Sequence, residues 1–491
     1  MFYSPVMALG DLLGERYVKA VADASAAVGN IVPKEVFEPV DFYPPERQLQ
    51  NDMFIKRVGE QICPPFSEEQ EGAGTDSFGR AFCASAAPLT GFGCYRIGES
   101  GRLYFLGKSE HYHTPLGHRF EGYALIDKAR KLGIVNPTHN NTRGYVTRLA
   151  ETKLIQAAGD KSLDRMINLE TGSLAVEAGV KMMLDRFYCL DTSFGAPKYR
   201  GRTPVFFVMA DHEGGFEANY HGTTVLTQSF RGLWPEFYEN AEKAGLYKTV
   251  PVKINDIEDF RRKIRLYNAG EYKTAGFLHE IILMNYGAVR LGPEYLCAAY
   301  DLCRETDTPV LVDEIQSCMW YEGMLLFRQY GLRPDFVVVG KGFPGGEYPA
   351  SKIITNAKMD TLNQFGALVT NGQEELASLS YLITMAFVSA NGGMIKKLGG
   401  YFQHRLGEIA RKRPDIIQKT EGLGHLAALH FNSAGQAADF AGKLNARYID
   451  ASAQTYKRNC PPAVLFKLPV ISSEAAIDFM ADSIEELIGK P

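Results

Sequence analysis

The chain carries its apolar residues in two rhythms. In its middle, short unbroken runs rich in branched side chains alternate with stretches whose apolar positions fall three and four apart. The runs, bounded by Pro and Gly, predict strands buried on both faces, and the stretches predict amphipathic helices. Strands are predicted at 166–169, 205–210, 276–282, 310–315 and 336–340, with helices at 173–188 and 293–304 among those between them. Such alternation, from about residue 120 to 370, implies strand–helix–strand units and a mainly parallel sheet covered by helices, an α/β fold.

The flanks read differently. Leu9, Leu12, Leu13, Tyr17, Val21, Ala24 and Val28 fall near helical spacing and predict one helix over 8–28. Residues 29–92 are rich in Pro and Gly, with an acidic patch at Glu68-Glu69-Gln70-Glu71, and read as irregular. A hairpin is predicted from 94–97 and 103–106 around a Gly-Glu-Ser-Gly turn. A long helix is predicted over 373–390, stopped by Asn391-Gly392, followed by strand 426–431, helix 436–444, strand 464–468 and helix 474–488. The chain therefore divides into an N-terminal segment 1–115, a large domain 116–372, and a part 373–491 that holds the long helix and a smaller α+β domain joined by the N-terminal segment.

Composition narrows the function. A 45% apolar and 22% charged chain of 491 residues is that of a soluble globular protein with a large core. A net charge of −4 without a polybasic stretch excludes nucleic acid as an expected partner. No apolar run approaches the roughly 20 residues of a membrane helix, and a start with Asp11 and no basic region is not a secretory signal. The Asn140-Asn141-Thr142 sequon therefore carries no weight. Eight cysteines without a Cys-x-x-Cys pair point to a reducing, cytoplasmic setting with neither zinc nor disulfides. His111, His113 and His118, lacking a carboxylate or cysteine at ligand spacing, read as structural, with no metal. Gly422-Leu423-Gly424-His425-Leu426-Ala427 matches a dinucleotide fingerprint but leads into a strand pattern, so it is set aside.

The chemistry lies at the ends of the predicted strands. The run 310–312 ends on Asp313 and Glu314, and the run 336–339 ends on Gly340-Lys341-Gly342. Open α/β sheets place their ligand crevice there. An acid and a lysine in one crevice suit pyridoxal 5'-phosphate (PLP): the lysine forms a Schiff base with the aldehyde, and the acid keeps the ring nitrogen protonated. Taken alone, the two residues are read more simply as a helix cap and a solvated loop lysine. Thr171-Gly172-Ser173 would open a helix and offer an anion site, or a plain N-cap. Tyr220 could lie on a planar ligand or pack on the sheet, Gln316 could reach the ligand or solvent, and Thr370 could donate to a phosphate or cap the long helix.

Together these segments resemble the class III aminotransferases, PLP enzymes of fold type I that include the gamma-aminobutyrate and ornithine aminotransferases. Asp313-Glu314-Ile315-Gln316, Gly323, Pro334-Asp335, Gly340-Lys341-Gly342 and Gly345-Gly346 follow that family's central segment in order and spacing. Thr171-Gly172-Ser173, Tyr220-His221-Gly222, Glu280, Leu116-Gly117-His118 and Pro469-Val470-Ile471 extend the likeness over about residues 90 to 490. The resemblance implies an aminotransferase that moves an amino group from an amine or amino acid to a 2-oxo acid. An aminomutase, epimerase or decarboxylase on the same scaffold, or a relative without turnover, are the alternatives. It also implies roles. Lys341 would carry the Schiff base and move the proton, and Asp313 would pair the ring nitrogen. Gln316 would contact the phenolic oxygen and Tyr220 would stack on the ring. Gly172 and Ser173 would hold the phosphate, with Thr370 serving the neighbouring subunit of a homodimer. The two arginines that grip substrate carboxylates in the family are missing: Thr223 and Glu421 stand in their places. If Glu421 faced the pocket it would repel a carboxylate, so common amino-acid donors are expected to react poorly unless another arginine, Arg231 or Arg96, serves instead.

Overall fold

The computed structural model describes residues 1–66, 68, 73–74, 86–137, 142–190, 196–454 and 457–489. Cys83, most of the acidic patch and the Asn140-Asn141 pair lie outside them. The predicted buried strands assemble into one seven-stranded sheet. Its order is Arg165–Leu169, Ser351–Thr355, Phe336–Val339, Val310–Asp313, Tyr272–His279, Thr203–Met209 and Lys248–Val252. Ser351–Thr355 runs antiparallel to both neighbours, and the other pairings are parallel. Successive side chains feed opposite faces. Val205, Phe207 and Met209 enter one core cluster, while Phe206 and Val208 enter the other. Burial on both faces is why these strands read as unbroken apolar runs. The register sets Asp313 beside Val338, so the acid and Lys341 leave the same edge of the sheet.

Two strands escape the apolar pattern. Lys248–Val252 contains Pro251, tolerated because the strand is at the sheet's edge. Ser351–Thr355 is buried throughout although three of its five residues are polar; Lys352 is satisfied by the Asn168 side chain. The predicted helix 8–28 is two helices, Leu9–Leu13 and Glu15–Ala27, broken at Gly14 with φ 87°. Residues 29–92 are not wholly irregular, since Pro45–Met53 is helical.

The long helix does not stop at Asn391-Gly392. It runs over Glu375–Lys412, 38 residues. Asn391 is buried inside it because its side chain accepts from Tyr3 N (2.8 Å) and donates to Tyr3 O (2.9 Å) and Phe387 O (3.0 Å). A residue that usually ends helices is thus fully bonded within one. By length and composition alone the helix could cross a membrane, but 67% of its most apolar window is buried against the protein, as in an interior helix.

The C-terminal strands form an antiparallel sheet in the order Ile417–Leu423, Leu426–Phe431, Ala463–Lys467, Ser452–Ala453. Gly424 and His425 form the tight turn of its first hairpin, and a Cβ on Gly422, paired just before it, would fall 2.2 Å from Leu426 O. The predicted N-terminal hairpin is a three-stranded sheet, Pro88–Phe92, Tyr95–Gly98 and Leu103–Phe105, bridged to the C-terminal part where Phe105 meets Ile449.

Asn391→Ala should remove the two-way bond to Tyr3 and cost about 1–3 kcal/mol in denaturant unfolding. The Tyr3 amide should lose protection from hydrogen exchange while the helix persists. Unchanged protection would contradict this account of why the helix continues.

Candidate active site

A cavity of about 330 Å³ opens at the carboxyl edge of the large sheet. Four of its walls continue strands: Glu170–Ser173 after Arg165–Leu169, Tyr220–Gly222 in the loop after Thr203–Met209, Asp313, Ile315 and Gln316 at the end of Val310–Asp313, and Lys341 after Phe336–Val339. Gly172, Ser173, Tyr220, Asp313, Gln316 and Lys341 all line it.

Asp313 is 4% exposed. Its Oδ1 accepts from Ile315 N (3.0 Å) and its Oδ2 lies 3.0 Å from His221 Nδ1. A carboxylate oxygen there accepts from Nδ1, and the buried Nε2 of His221 has no partner among the described residues. Sequence reasoning quoted His221 within a motif but gave it no task. Gln316 Nε2 donates to Glu280 Oε1 at 2.6 Å, leaving Glu280 Oε2 buried and without a partner among the described residues. Burial, and then the Asp313 charge, push the Glu280 carboxyl up to about 8. The Gln316 hydrogen bond and the Lys341 and Lys457 charges oppose that rise. Glu314 points the other way. Wholly buried, it accepts from Leu326 N (2.9 Å), Phe327 N (2.6 Å) and Ser317 Oγ (3.1 Å), fastening the loop beyond the site.

Lys341 has φ 32°, in the left-handed region that costs a residue with a side chain on the order of 1–3 kcal/mol. Burial lowers the pKa of its amine against the pull of Glu280 and Asp313. A lysine shifted this way offers a larger share of the neutral, nucleophilic amine.

The helix Gly172–Leu184 aims its N-terminus at the cavity. Thr171 caps it, accepting from Leu174 N at 3.4 Å. A Cβ on Gly172 would come within 2.7 Å of Ile315 Cδ1, and one on Gly222 (φ 129°) within 2.7 Å of Ser173 Cα. Only glycine lets the helix start, the 220–222 loop and the Asp313 loop close together. Ser173 Oγ accepts from Thr223 N at 3.0 Å, so position 223 supports the helix start.

Other expectations change. Thr370 is exposed and does not line the cavity. Glu421 does not line it either; it pairs with Lys419 at 2.8 Å on the same face of strand Ile417–Leu423. Arg96 is committed to Glu110 at 2.6 Å and Asp450 at 3.5 Å. Arg231 lies 5.1 Å over the Tyr220 ring. His113, read as structural, lines the cavity. His118 bonds Glu110 at 3.1 Å, and burial with the Lys467, Lys108 and Lys341 charges pushes His111 down to about 3. Nothing in the spacing of these histidines announced that, because the fold brings them to the site.

The family model for class-III aminotransferases matches residues 89–485. The chain belongs to that family. It is 25% identical over 391 residues to the acetylornithine aminotransferase of Aquifex aeolicus, covering 77% of this chain and 92% of that protein. Among solved structures, the adenosylmethionine-8-amino-7-oxononanoate aminotransferase of Methanocaldococcus jannaschii superposes with a TM-score of 0.68 at 18% identity, over 90% of this chain and 99% of that one. The PMP-bound aminotransferase of Vibrio fluvialis does so with a TM-score of 0.66 at 19% identity, over 86% and 95%. The chain is a PLP-dependent aminotransferase with the fold type I architecture. Its cavity fits the cofactor. A buried carboxylate and a buried amine face each other, a side-chain-free helix start can take a phosphate, and Tyr220 and Ile315 offer walls for a flat ring.

The raised Glu280 carboxyl has a stability consequence. Between about 4.5, its ordinary value, and about 8, the folded chain holds a proton there that the unfolded chain has lost. Folding stability of cofactor-free protein should therefore fall with rising pH across that window, by up to about 1.4 kcal/mol per pH unit from this group. Glu280→Gln should flatten that slope in urea titrations. An identical slope in the variant would contradict the assignment.

Proposed function

We propose that the enzyme passes the amino group of an amine or amino acid to a 2-oxo acid, with Lys341 as the residue that attaches PLP covalently through Nζ. The convergence of Lys341, Asp313 and the Gly172–Ser173 helix start in one cavity supports this most directly. When bound, PLP supplies an aldehyde that joins to amines and a ring that accepts electrons from the substrate carbon. Asp313 holds the ring nitrogen's proton in place, and His221 and Ile315 N lock its carboxylate in orientation. Gln316, anchored by Glu280, would have its remaining donor capacity for the phenolic oxygen. Gly172 and Ser173 take the phosphate with backbone N–H groups at the positive end of the helix. Tyr220 would offer its ring as one wall for the flat cofactor. Lys341 Nζ, once a substrate amine had taken its place, would be the base in the cavity able to take up the substrate carbon's proton and return it.

The working form is a homodimer in the cytoplasm. Thr370 is exposed in the single chain, in the turn before the long helix, whose N-cap is Glu374 instead, and that exposure suits a donor to a neighbouring subunit's phosphate. The substrate's acid is not held at the family's two arginine positions: Thr223 braces Ser173 and Glu421 is neutralised by Lys419. The repulsion expected from Glu421 falls away, and a donor with a carboxylate held by another cation is the better fit.

A spectroscopic half-reaction tests the reaction class. Mixing the holoenzyme with a panel of amino acids and amines should convert the bound aldehyde absorbance to that of the amine form for at least one donor, and a 2-oxo acid should reverse it. Return of the aldehyde form without an acceptor would indicate a mutase or decarboxylase instead. Asp313→Asn should still bind PLP and slow proton abstraction by about 10²- to 10⁴-fold; an unchanged rate would remove Asp313 from the role.

A further inference from the structure

We infer that Lys467 is the specificity-determining cation of the site, receiving the substrate's carboxylate in place of the arginines missing at positions 223 and 421. The inference rests on the aminotransferase reading. Lys467 ends strand Ala463–Lys467, is 3% exposed, and sets its Nζ 4.0 Å from the centroid of the Tyr112 ring. Lys341 Nζ lies 4.9 Å from the same centroid, so the two nitrogens are no more than about 9 Å apart. A substrate's amine takes the place of Lys341 Nζ in reaction. A donor whose acid lies about four or five bonds from its amine, at about 1.5 Å per bond, spans that gap.

A fully buried lysine normally has an acid beside it. Among the described residues no carboxylate lies within ion-pair range of Lys467. The nearest candidate, Asp450, is shared by Lys108 at 2.9 Å and Arg96 at 3.5 Å. Arg96 is held in turn by Glu110 at 2.6 Å. The groups facing Lys467 are therefore Lys341, Lys108, His111 and the Tyr112 ring, with Asp450 as the one acid. Burial, then the Lys341 and Lys108 charges, drive its pKa far down. An entering carboxylate works against that fall: it favours the protonated amine and completes the ion pair that Lys467 lacks among the described residues.

The backbone around it is built for position. Lys467 N donates to Gly107 O (2.8 Å), and Ser109 Oγ donates to Lys467 O (2.5 Å). Ser109, Glu110, His111 and Tyr112 follow one another in the left-handed region, with φ of 46°, 47°, 55° and 74°. Four such residues in sequence cost on the order of 1–2 kcal/mol each, and strain of this kind gathers at ligand sites. Glu110 holds the turn open toward Arg96 and His118, Tyr112 stands against both amines, and the next residue, His113, forms cavity wall.

The test compares holoenzyme of the wild type, Lys467→Met, Lys467→Arg and Arg231→Met. The probes are glutarate in calorimetry and 4-aminobutyrate beside n-butylamine in the half-reaction. Lys467→Met should weaken glutarate at least 10-fold and raise the half-saturating 4-aminobutyrate concentration similarly, leaving n-butylamine unchanged. Wild-type binding of glutarate should take up a proton near pH 8, seen as a buffer-dependent enthalpy. Lys467→Arg, always charged, should keep the affinity and lose the uptake, and it carries the test should Lys467→Met fail to fold. Unchanged glutarate affinity in Lys467→Met, equal weakening of n-butylamine, absence of proton uptake in the wild type, or loss with Arg231→Met instead would each overturn the inference. Cofactor content, read from absorbance in every variant, keeps this result separate from the PLP assignment.

Discussion

The site depends on burying the Asp313 carboxyl group at the sheet's edge with both of its oxygens occupied. Asp313 survives there because His221 and Ile315 N occupy its oxygens and because buried lysine lies across the cavity. Remove that arrangement and the rest loses its purpose: Gln316 would aim at nothing, and the close approach at Gly172 and Gly222 would enclose an empty slot. The same low-dielectric setting raises Glu280 and lowers Lys341. Burial is the common cause, and each shift moves an acid or amine toward its neutral form, ready to exchange protons rather than hold charge.

The sheet was legible because its strands are buried on both faces and therefore continuous in apolar residues, and their ends carry the chemistry in order. Ser351–Thr355 was hidden because its polar residues are paired inside the protein, Lys352 with Asn168. Asn391 misled for the same reason: its stop signal is cancelled by Tyr3, nearly the whole chain away. Residues within a strand-end motif could be found from spacing. His113, which lines the cavity, and Tyr112 and Lys467, which stand behind Lys341, could not, since a left-handed turn and the last strand of the C-terminal sheet bring them there. Glu421 was a pocket candidate by family position alone; strand alternation sets it on the face of Lys419.

The chain gathers in one cavity the groups proposed to face a cofactor, and carries Thr223 and Glu421 where the resemblance led to arginines for a substrate's acid. Thr223 has become part of the helix-start scaffold and Glu421 part of a surface pair. Lys467 and Lys341 stand against the same Tyr112 ring, and no acid lies within ion-pair range of Lys467 among the described residues. A substrate carboxylate received there, as inferred above, would separate an acid-bearing donor from a neutral amine.

Two buried lysines against one tyrosine ring make the covalent assignment the point on which everything turns. Borohydride reduction of the holoenzyme fixes the cofactor to whichever amine holds it, and peptide mass mapping then reads the position. The account predicts the mass increase on the peptide carrying Lys341 and none on that carrying Lys467. Labelling of Lys467, or of Lys457, would contradict it.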